Sequence, residues 1–570
     1  METRLDVAIV GGGVSGAYSA WRLQQTHGKE LAIGLFEYGN RIGGRLFTVT
    51  LPGLPHVKAE VGGMRYIPTS HLMVANLVTR LGLATKDFPM GAGGKEGAKC
   101  NLFYLRGKHL RLHELDDPNK VPYNLAWSER GLGPTNLQVQ AMNRIYPGFA
   151  DLSLGDQMKV SAFGIPLWKQ GFWNLMYRAL SPEGYQFMKD AGGYEANVAN
   201  ANAVTQLPAT EYTDTTQFLT LRDGYDTLPK TLVKEFAEMP DGKLDPSKRV
   251  SMNHRLAEIE KEAEGYTLRF AATETVNGKT CDVADSKPMI VRARKVILAM
   301  PRRSLELVKC PLFENEATQH DLSSVLIQSA FKLLMAFETP WWRALGLVAG
   351  RSVTDLPVRQ IYYFGTEGEQ EGGQPNMNSL LAASYNDMAT VPFWKGLEKG
   401  EEYPGYTPAC IEPEVKKVVP DHEFRVTDVM VQSACAQVAE VHALQEIPKP
   451  YSAVYHTWNE DPYGGGWHEW KADYRPDEII PRIRKPLAEE DLYIVGEAYS
   501  YGQGWVEGAL TVAESTLQDF FKLSWPRWLP TSYALLPGGP SNDGPCVETF
   551  GATDILNAAT PDCLKNVEEG

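Results

Sequence analysis

Val7-Ala-Ile-Val-Gly-Gly-Gly-Val-Ser-Gly-Ala-Tyr-Ser-Ala-Trp21 decides the reading of this chain. Asp6–Val10 is apolar on both faces, the pattern of a buried parallel strand. Gly11, Gly13 and Gly16 then fit G-x-G-x-x-G. The first glycine permits a tight turn, the second lets a pyrophosphate approach the backbone, and the third lets a helix pack close on the strand. That helix is predicted from Val14 to about Gln25. Its N-terminus, with Val14 and Ser15 in the first turn, turns free N–H groups and partial positive charge toward an anion. A second strand, Leu31-Ala-Ile-Gly-Leu-Phe36, ends on Glu37, where an acid accepts hydrogen bonds from the ribose hydroxyls of an adenosine. An ordinary glycine turn would not need this order of strand, turn, helix, strand and acid.

Length and composition set the frame. The 570 residues exceed one core and predict two or three domains. With 43% hydrophobic and 22% charged residues, the composition is that of a globular protein. The net charge of -14 argues against a nucleic-acid surface. The first strand begins about four residues from Met1, which leaves no room for a targeting segment and predicts a cytoplasmic protein. No long uncharged apolar run predicts a membrane span. Cys100, Cys281, Cys310, Cys410, Cys435, Cys546 and Cys563 are scattered without C-x-x-C, so neither a metal site nor a disulfide framework is expected.

Further glycine and arginine motifs follow. Arg41-Ile-Gly-Gly-Arg45 offers Gly44 for close approach and Arg45 to neutralise pyrophosphate. Ala59-Glu-Val-Gly-Gly-Met-Arg-Tyr-Ile-Pro68 sets Gly62, Gly63 and Met64 against Arg65, and all four are expected to touch the cofactor. Near the far end, Asp491-Leu-Tyr-Ile-Val-Gly-Glu497 reads as a strand delivering an acid, followed by Gly502-Gln-Gly-Trp-Val-Glu-Gly-Ala509. In this order the motifs resemble the flavin amine oxidase superfamily, over residues 5 to about 522, and within it the FAD-dependent L-amino-acid oxidases and bacterial L-arginine oxidases. The resemblance implies FAD, with Glu497 in the ribityl–pyrophosphate region, Leu256 at the adenine, and Gly504, Trp505 and Val506 at a helix start under the flavin.

The expected architecture is mixed α/β. A discontinuous Rossmann-like FAD-binding domain takes residues 1–68, 218–310 and 488–525. A mixed-sheet substrate domain takes 69–125 and 311–487. A helical insertion takes 126–217, and a Pro- and Gly-rich tail takes 526–570, read as a wrapping or oligomer arm or a loosely ordered end. Phe103–Leu112 alternates and reads as a hairpin turning at Gly107-Lys108, and Val250–Leu256 reads as one strand.

The superfamily divides on the substrate carboxylate. Gly62-Gly-Met-Arg65 resembles the G-x-M-R element of the L-amino-acid oxidases, whose arginine grips that carboxylate with a tyrosine hydroxyl, here Tyr385. A guanidinium fits a carboxylate as a two-bond fork. The resemblance also implies that Lys332 holds a water near flavin N5, that Tyr362 lies near the active site, that the Gly504 carbonyl receives the amine, and that the Trp505 indole walls the flavin. Trp467 and His468, in the loop Tyr455–His468, are expected at the side-chain pocket, with Glu460, Asp461 and Glu469 as acids able to meet a cationic end. The implied reaction is oxidative deamination of an L-amino acid by O2, arginine being favoured, to a 2-oxo acid, ammonia and hydrogen peroxide, in a homo-oligomer. The alternatives are an amine or polyamine oxidase, an amino-acid monooxygenase, and a non-catalytic flavin-bound assembly protein.

Overall fold

A computed structural model of the chain describes residues 3–88, 90, 101–206, 216–276, 279–370, 375–408 and 426–536. Thr3–Val10 forms the centre of an eight-stranded sheet, parallel to Ile33–Phe36 on one side and Met289–Leu298 on the other. Leu492–Ile494 adds in parallel to Met289–Leu298, and Tyr266–Val276 and His254–Lys261 continue the sheet antiparallel. The central strand is apolar throughout because alternate residues enter different cores. Val7 and Ile9 face the helices Val14–His27 and Val506–Phe521, whereas Ala8 and Val10 face Phe270, Trp470 and Ile483. Val10, Phe36, Leu298 and Ile494 are aligned in register. Gly11, Glu37, Ala299 and Val495 therefore leave the sheet at one carboxyl edge, where open α/β sheets bind ligands.

The helix Val14–His27 packs on Val506–Phe521, which joins the two ends of the chain. Glu514, fully buried, accepts from the Tyr18 hydroxyl at 2.6 Å and pairs with Arg22 at 3.1 Å. Gly16 is the close-packing point: a Cβ there would lie 1.9 Å from the Gly11 carbonyl oxygen.

A seven-stranded mixed sheet follows the order Ser452–Thr457, Ala330–Phe337, Ser379–Asp387, Gln360–Thr366, Gly350–Thr354, Leu102–Leu105, Lys108–Arg111. Ala330–Phe337 is buried on both faces. Phe331, Leu333 and Met335 enter a core closed by the helix Asp428–Val441, while Leu334 and Ala336 meet Val61, Met64, Phe88 and Tyr362. Between Leu105 and Gln206 lie helices with their own core, including Leu137, Phe149, Phe172 and Phe187. The last of these helices before the site, Pro182–Gly192, starts on a Ser181 cap with proline in its first turn.

Two local assignments change. The hairpin turns at Arg106-Gly107, with φ of 48° and 76°, one residue earlier than expected, because paired left-handed residues match strand twist. Val250–Leu256 is broken: Asn253 has φ of 61°, separating Val250–Ser251 from His254–Lys261, and asparagine tolerates that conformation. Leu219–Leu221 pairs with Thr85–Asp87 in a separate two-stranded sheet. The first part of the tail is packed, with Leu529 buried and the Tyr533 hydroxyl bonded to Glu507. Residues 537–570 lie outside the described residues.

Candidate active site

A cavity of about 1250 Å³, counting its open mouth, runs along the carboxyl edge of the eight-stranded sheet. Its lining brings the glycine turn, Glu37, Leu256, Glu497 and Trp505 into one space, which suits an extended dinucleotide. Gly11, Gly13, Val14, Ser15 and Glu37 form one wall, with Gly44, Arg45 and Gly63 beside them. Leu256, Glu497, Gly504, Trp505 and Val506 line the cavity as well. Gly16 is under the helix rather than on the wall, and Gly62, Met64 and Arg65, expected at the cofactor, are off the wall while Gly63 is on it.

The residues fit FAD. The helix Val14–His27 begins at Gly13 with no side-chain cap and no acid in its first turn, and the helix Val506–Phe521 begins at Trp505, also uncapped. Two uncapped helix N-termini thus open on one cavity, with unsatisfied N–H groups available to phosphate or flavin oxygens. A Cβ on Gly13 would find only Gly44 Cα, at 3.8 Å, so this glycine keeps space open rather than permitting a turn. Glu37 accepts from Gly12 N at 2.6 Å and Gly39 N at 2.9 Å, and each carboxylate oxygen retains a second lone pair.

Glu497 is the hub of the wall. It accepts from the backbone N–H groups of His468 at 2.9 Å and Gly504 at 2.8 Å, and from Arg45 at 2.8 Å. Burial works to raise its pKa, but Arg45, His468 and the Gly504 N–H outweigh it and hold the carboxyl well below the ordinary range. Arg45 also donates to the Gly466 carbonyl at 3.0 Å, so it is a strut between wall segments as well as a cavity cation.

His468 is not at a side-chain pocket. It is fully buried, its Nδ1 lies 2.8 Å from Glu497, and it does not reach the cavity. Trp467–Trp470 is a strand, so adjacent side chains take opposite faces. Trp467 lines the cavity, and its indole meets Gly504, where an added Cβ would lie 3.7 Å from the ring.

Behind Trp467 lies a second cluster that the cavity does not reach in this structure. Arg65 is buried, its guanidinium 4.9 Å from the Phe218 ring centroid, 5.5 Å from Phe88 and 5.9 Å from Tyr362. Tyr362 and Tyr385 stand together, ring centroids 6.1 Å apart. Tyr194, which no motif singled out, completes the group. Its hydroxyl is 3.5 Å from Arg65 Nη2 and 3.1 Å from the Tyr362 hydroxyl. Its ring lies 5.2 Å from Tyr385 and 6.3 Å from Trp467.

Lys332 stands opposite Tyr385 in the sheet register. Its Nζ donates to Gly62 O at 2.6 Å, Glu60 O at 3.1 Å and Met64 Sδ at 3.4 Å. Three acceptors match the three N–H groups of the ammonium form. Burial pushes the pKa down to about 7; Glu60 opposes this and Arg65 adds to it. Lys332 thereby clamps the ribbon that carries Arg65. Gly62 is where the ribbon presses on the Arg41–Arg45 loop: a Cβ would lie 2.1 Å from Arg45 O.

Of the three acids, Glu460 pairs with Lys395 at 2.9 Å and Asp461 with Arg303 at 2.7 Å, both at the surface. Glu469 is buried on the strand of Trp467 and accepts from Gln328 at 2.7 Å. Burial pushes its pKa from 4.5 up to about 8. The folded protein thus keeps a proton that the unfolded chain releases, and this stabilisation, complete below pH 4.5, is lost as pH rises through about 8. Glu469→Gln mimics the protonated acid. Its Tm is expected to fall less than the wild-type Tm between pH 5 and about 8; parallel Tm curves would contradict the assignment.

Comparisons with known proteins bear on the fold and the cofactor. The family profile described as "Flavin containing amine oxidoreductase" matches residues 14–516. The chain is 32% identical to Aplysianin-A of Aplysia kurodai over 91% of each chain. It is 29% identical to Achacin of Lissachatina fulica over 91% of this chain and 93% of that one. An L-amino-acid oxidase of Bungarus fasciatus is 23% identical over 88% of this chain and 84% of its own length. Among solved structures, putrescine oxidase bound to putrescine superposes with a TM-score of 0.61 at 16% identity, over 92% of this chain and 100% of that one.

Proposed function

The chain belongs to the family of flavin-containing amine oxidoreductases, whose cofactor is FAD, and on that premise we propose that it is an L-amino-acid oxidase. The observation that carries the reading is the buried guanidinium of Arg65, set among tyrosines directly behind the cavity wall formed by Trp467 and Gly504. A cation in that position suits an α-carboxylate, which putrescine lacks. The likeness to putrescine oxidase is one of fold. L-amino-acid oxidases also stand among the relatives, at the level of identity already given.

When bound, FAD would supply a hydride acceptor for the substrate α-carbon and a route for the electrons to O2. The chain supplies the rest. Arg65 and Tyr385 hold the carboxylate and fix which face of the α-carbon is presented. Trp467 and Trp505 exclude water. The Gly504 carbonyl receives the amine. Glu497, kept ionised, holds the Gly504 N–H and so fixes that turn. The imino acid left by hydride loss is hydrolysed by water after release to the 2-oxo acid and ammonia, and O2 becomes hydrogen peroxide. An aerobic assay of peroxide and ammonia over the amino acids, with putrescine and agmatine alongside, tests this: peroxide from amines alone would make the protein an amine oxidase, and an amide product a monooxygenase.

A basic side chain, arginine before others, is the finer proposal. It is supported by Glu469, the one of the three acids that is buried, on the strand of the aromatic Trp467. Because Glu469 titrates near 8, kcat/KM for arginine relative to leucine is expected to rise between pH 7 and about 9 in the wild type and to stay flat in Glu469→Gln. A ratio that ignores both changes would remove Glu469 from recognition.

Lys332→Met separates two roles. If Lys332 serves by clamping the Glu60–Arg65 ribbon, the variant keeps its flavin, KM for the amino acid rises by about tenfold, and reoxidation of pre-reduced flavin by O2 is unchanged. Slowed reoxidation with an unchanged KM would assign Lys332 to the oxygen step instead.

A further inference from the structure

The turn that carries Tyr194 is strapped to the seven-stranded sheet. Arg351 donates to Gly192 O at 3.2 Å, and Arg359 donates to Lys189 O at 3.1 Å and Gly193 O at 3.3 Å. Asp387 accepts from Glu195 N at 3.0 Å and Ala196 N at 2.9 Å. Gly193 makes the bend with φ of 89°, and a Cβ there would lie 2.6 Å from Arg351. These contacts lie on either side of Tyr194 and drive its ring inward to 6% exposure.

The hydrogen-bond directions at its hydroxyl can be traced. Tyr362 spends its one proton on Gln360 Oε1, at 3.1 Å. Between the two phenols, Tyr194 is therefore the donor, and it turns a lone pair toward Arg65 Nη2. The Tyr385 ring packs edge-on against the Tyr194 ring, centroids 5.2 Å apart. The Tyr194 oxygen thus accepts from Arg65 and its ring packs on Tyr385, the two groups assigned to the substrate carboxylate. Its ring also packs edge-on against Trp467, which lines the cavity.

The geometry points to Tyr194 as a stand-in for the substrate carboxylate and a determinant of substrate size: its oxygen occupies the carboxylate position in the free enzyme, substrate displaces it, and the displaced ring becomes a side wall of the pocket. This rests on the reading of Arg65 as the carboxylate clamp. A carboxylate displaces a phenol because a hydrogen bond to a charged acceptor is about twice as strong as one to a neutral acceptor.

The test uses the flavin-loaded enzyme, its Tyr194→Phe and Tyr194→Ala variants, and benzoate as a carboxylate probe, read as a competitive inhibitor and by its perturbation of the flavin spectrum. Tyr194→Phe removes the competing oxygen and keeps the ring. Benzoate is expected to bind about threefold to tenfold tighter, with flavin content unchanged. Tyr194→Ala also removes the wall. The ratio of kcat/KM for the bulkiest accepted amino acid to that for the smallest is expected to rise at least about fivefold. Weaker benzoate binding in Tyr194→Phe would make the hydroxyl a donor within the clamp and overturn the proposal. Unchanged benzoate affinity and size ratio in both variants would also overturn it, leaving the clamp reading intact. A wild type that oxidises amines alone and binds no benzoate would remove the clamp reading, and the stand-in with it.

Discussion

Arg65→Met is expected to give a folded, yellow protein that has lost a factor of hundreds to thousands in kcat/KM for amino acids, equivalent to about 3–5 kcal/mol. The size of the effect follows from burial. The guanidinium lies within 6 Å of the ring centroids of Phe88, Phe218 and Tyr362, where little water is left to solvate a carboxylate that has lost its charged partner. Methionine fills a similar volume and packs on the same rings. Flavin retention follows from the layout: Arg65 is not on the cavity wall, which belongs to the glycine turn, Glu37, Arg45 and Glu497. Tyr385→Phe should cost less, because it removes one neutral donor to a charged acceptor. The slow turnover of decarboxylated analogues never used the clamp and should change little in either variant. Loss of flavin from Arg65→Met, or an unchanged rate with amino acids, would make Arg65 a structural residue.

Gly13→Val is expected to give a folded but colourless protein. The backbone at Gly13 has φ of -70° and ψ of 179°, which any residue adopts, and an added Cβ would make only ordinary contact with Gly44 Cα. The valine methyls would then stand in the cavity where the helix N-terminus opens, in the place of the pyrophosphate. FAD affinity is expected to fall by at least about a hundredfold, with a melting temperature close to that of wild-type apoprotein. Gly16→Val provides the contrast. Its Cβ would lie 1.9 Å from the Gly11 carbonyl oxygen, so it should fail to fold rather than merely lose flavin. Flavin retained at the wild-type level by Gly13→Val would mean that the cofactor does not pass over this turn.

How much of this was legible in the sequence depends on how local each cause is. The strand, turn, helix, strand and acid of residues 3–37 are fixed by neighbours in sequence and were readable from them. So were Gly44, Arg45, Glu497 and Gly504, each embedded in a motif. His468 was misplaced because facing on a four-residue strand turns on a single residue of register, and only the pairing with Val325–Gln328 sets it. Asn253 broke an expected strand because an asparagine in the left-handed region leaves no trace in the alternation pattern. Lys332 carries a family motif, but the acceptors of its three N–H groups come from residues far away in sequence. Tyr194 left no sequence signal. It sits in a glycine turn of ordinary composition, and only Arg351, Arg359 and Asp387, all distant in the chain, bring it to Arg65. The acids of the Trp458–Glu469 region looked equivalent in sequence. Their salt bridges to Lys395 and Arg303 set two of them at the surface and leave Glu469 inside.

The central claim is that the site is built around a carboxylate, and the most direct measurement is anaerobic reduction of the bound flavin, followed as bleaching of its yellow absorbance in stopped flow. Each L-amino acid is paired with the amine left by its decarboxylation, arginine with agmatine first. With no oxygen step, the rate reports only binding and hydride removal. The expected result is saturable bleaching by L-amino acids at least about a hundredfold faster than by the paired amines, and collapse of that ratio toward one in Arg65→Met. Bleaching by agmatine or putrescine as fast as by any amino acid, with a ratio that Arg65→Met leaves unchanged, would contradict it.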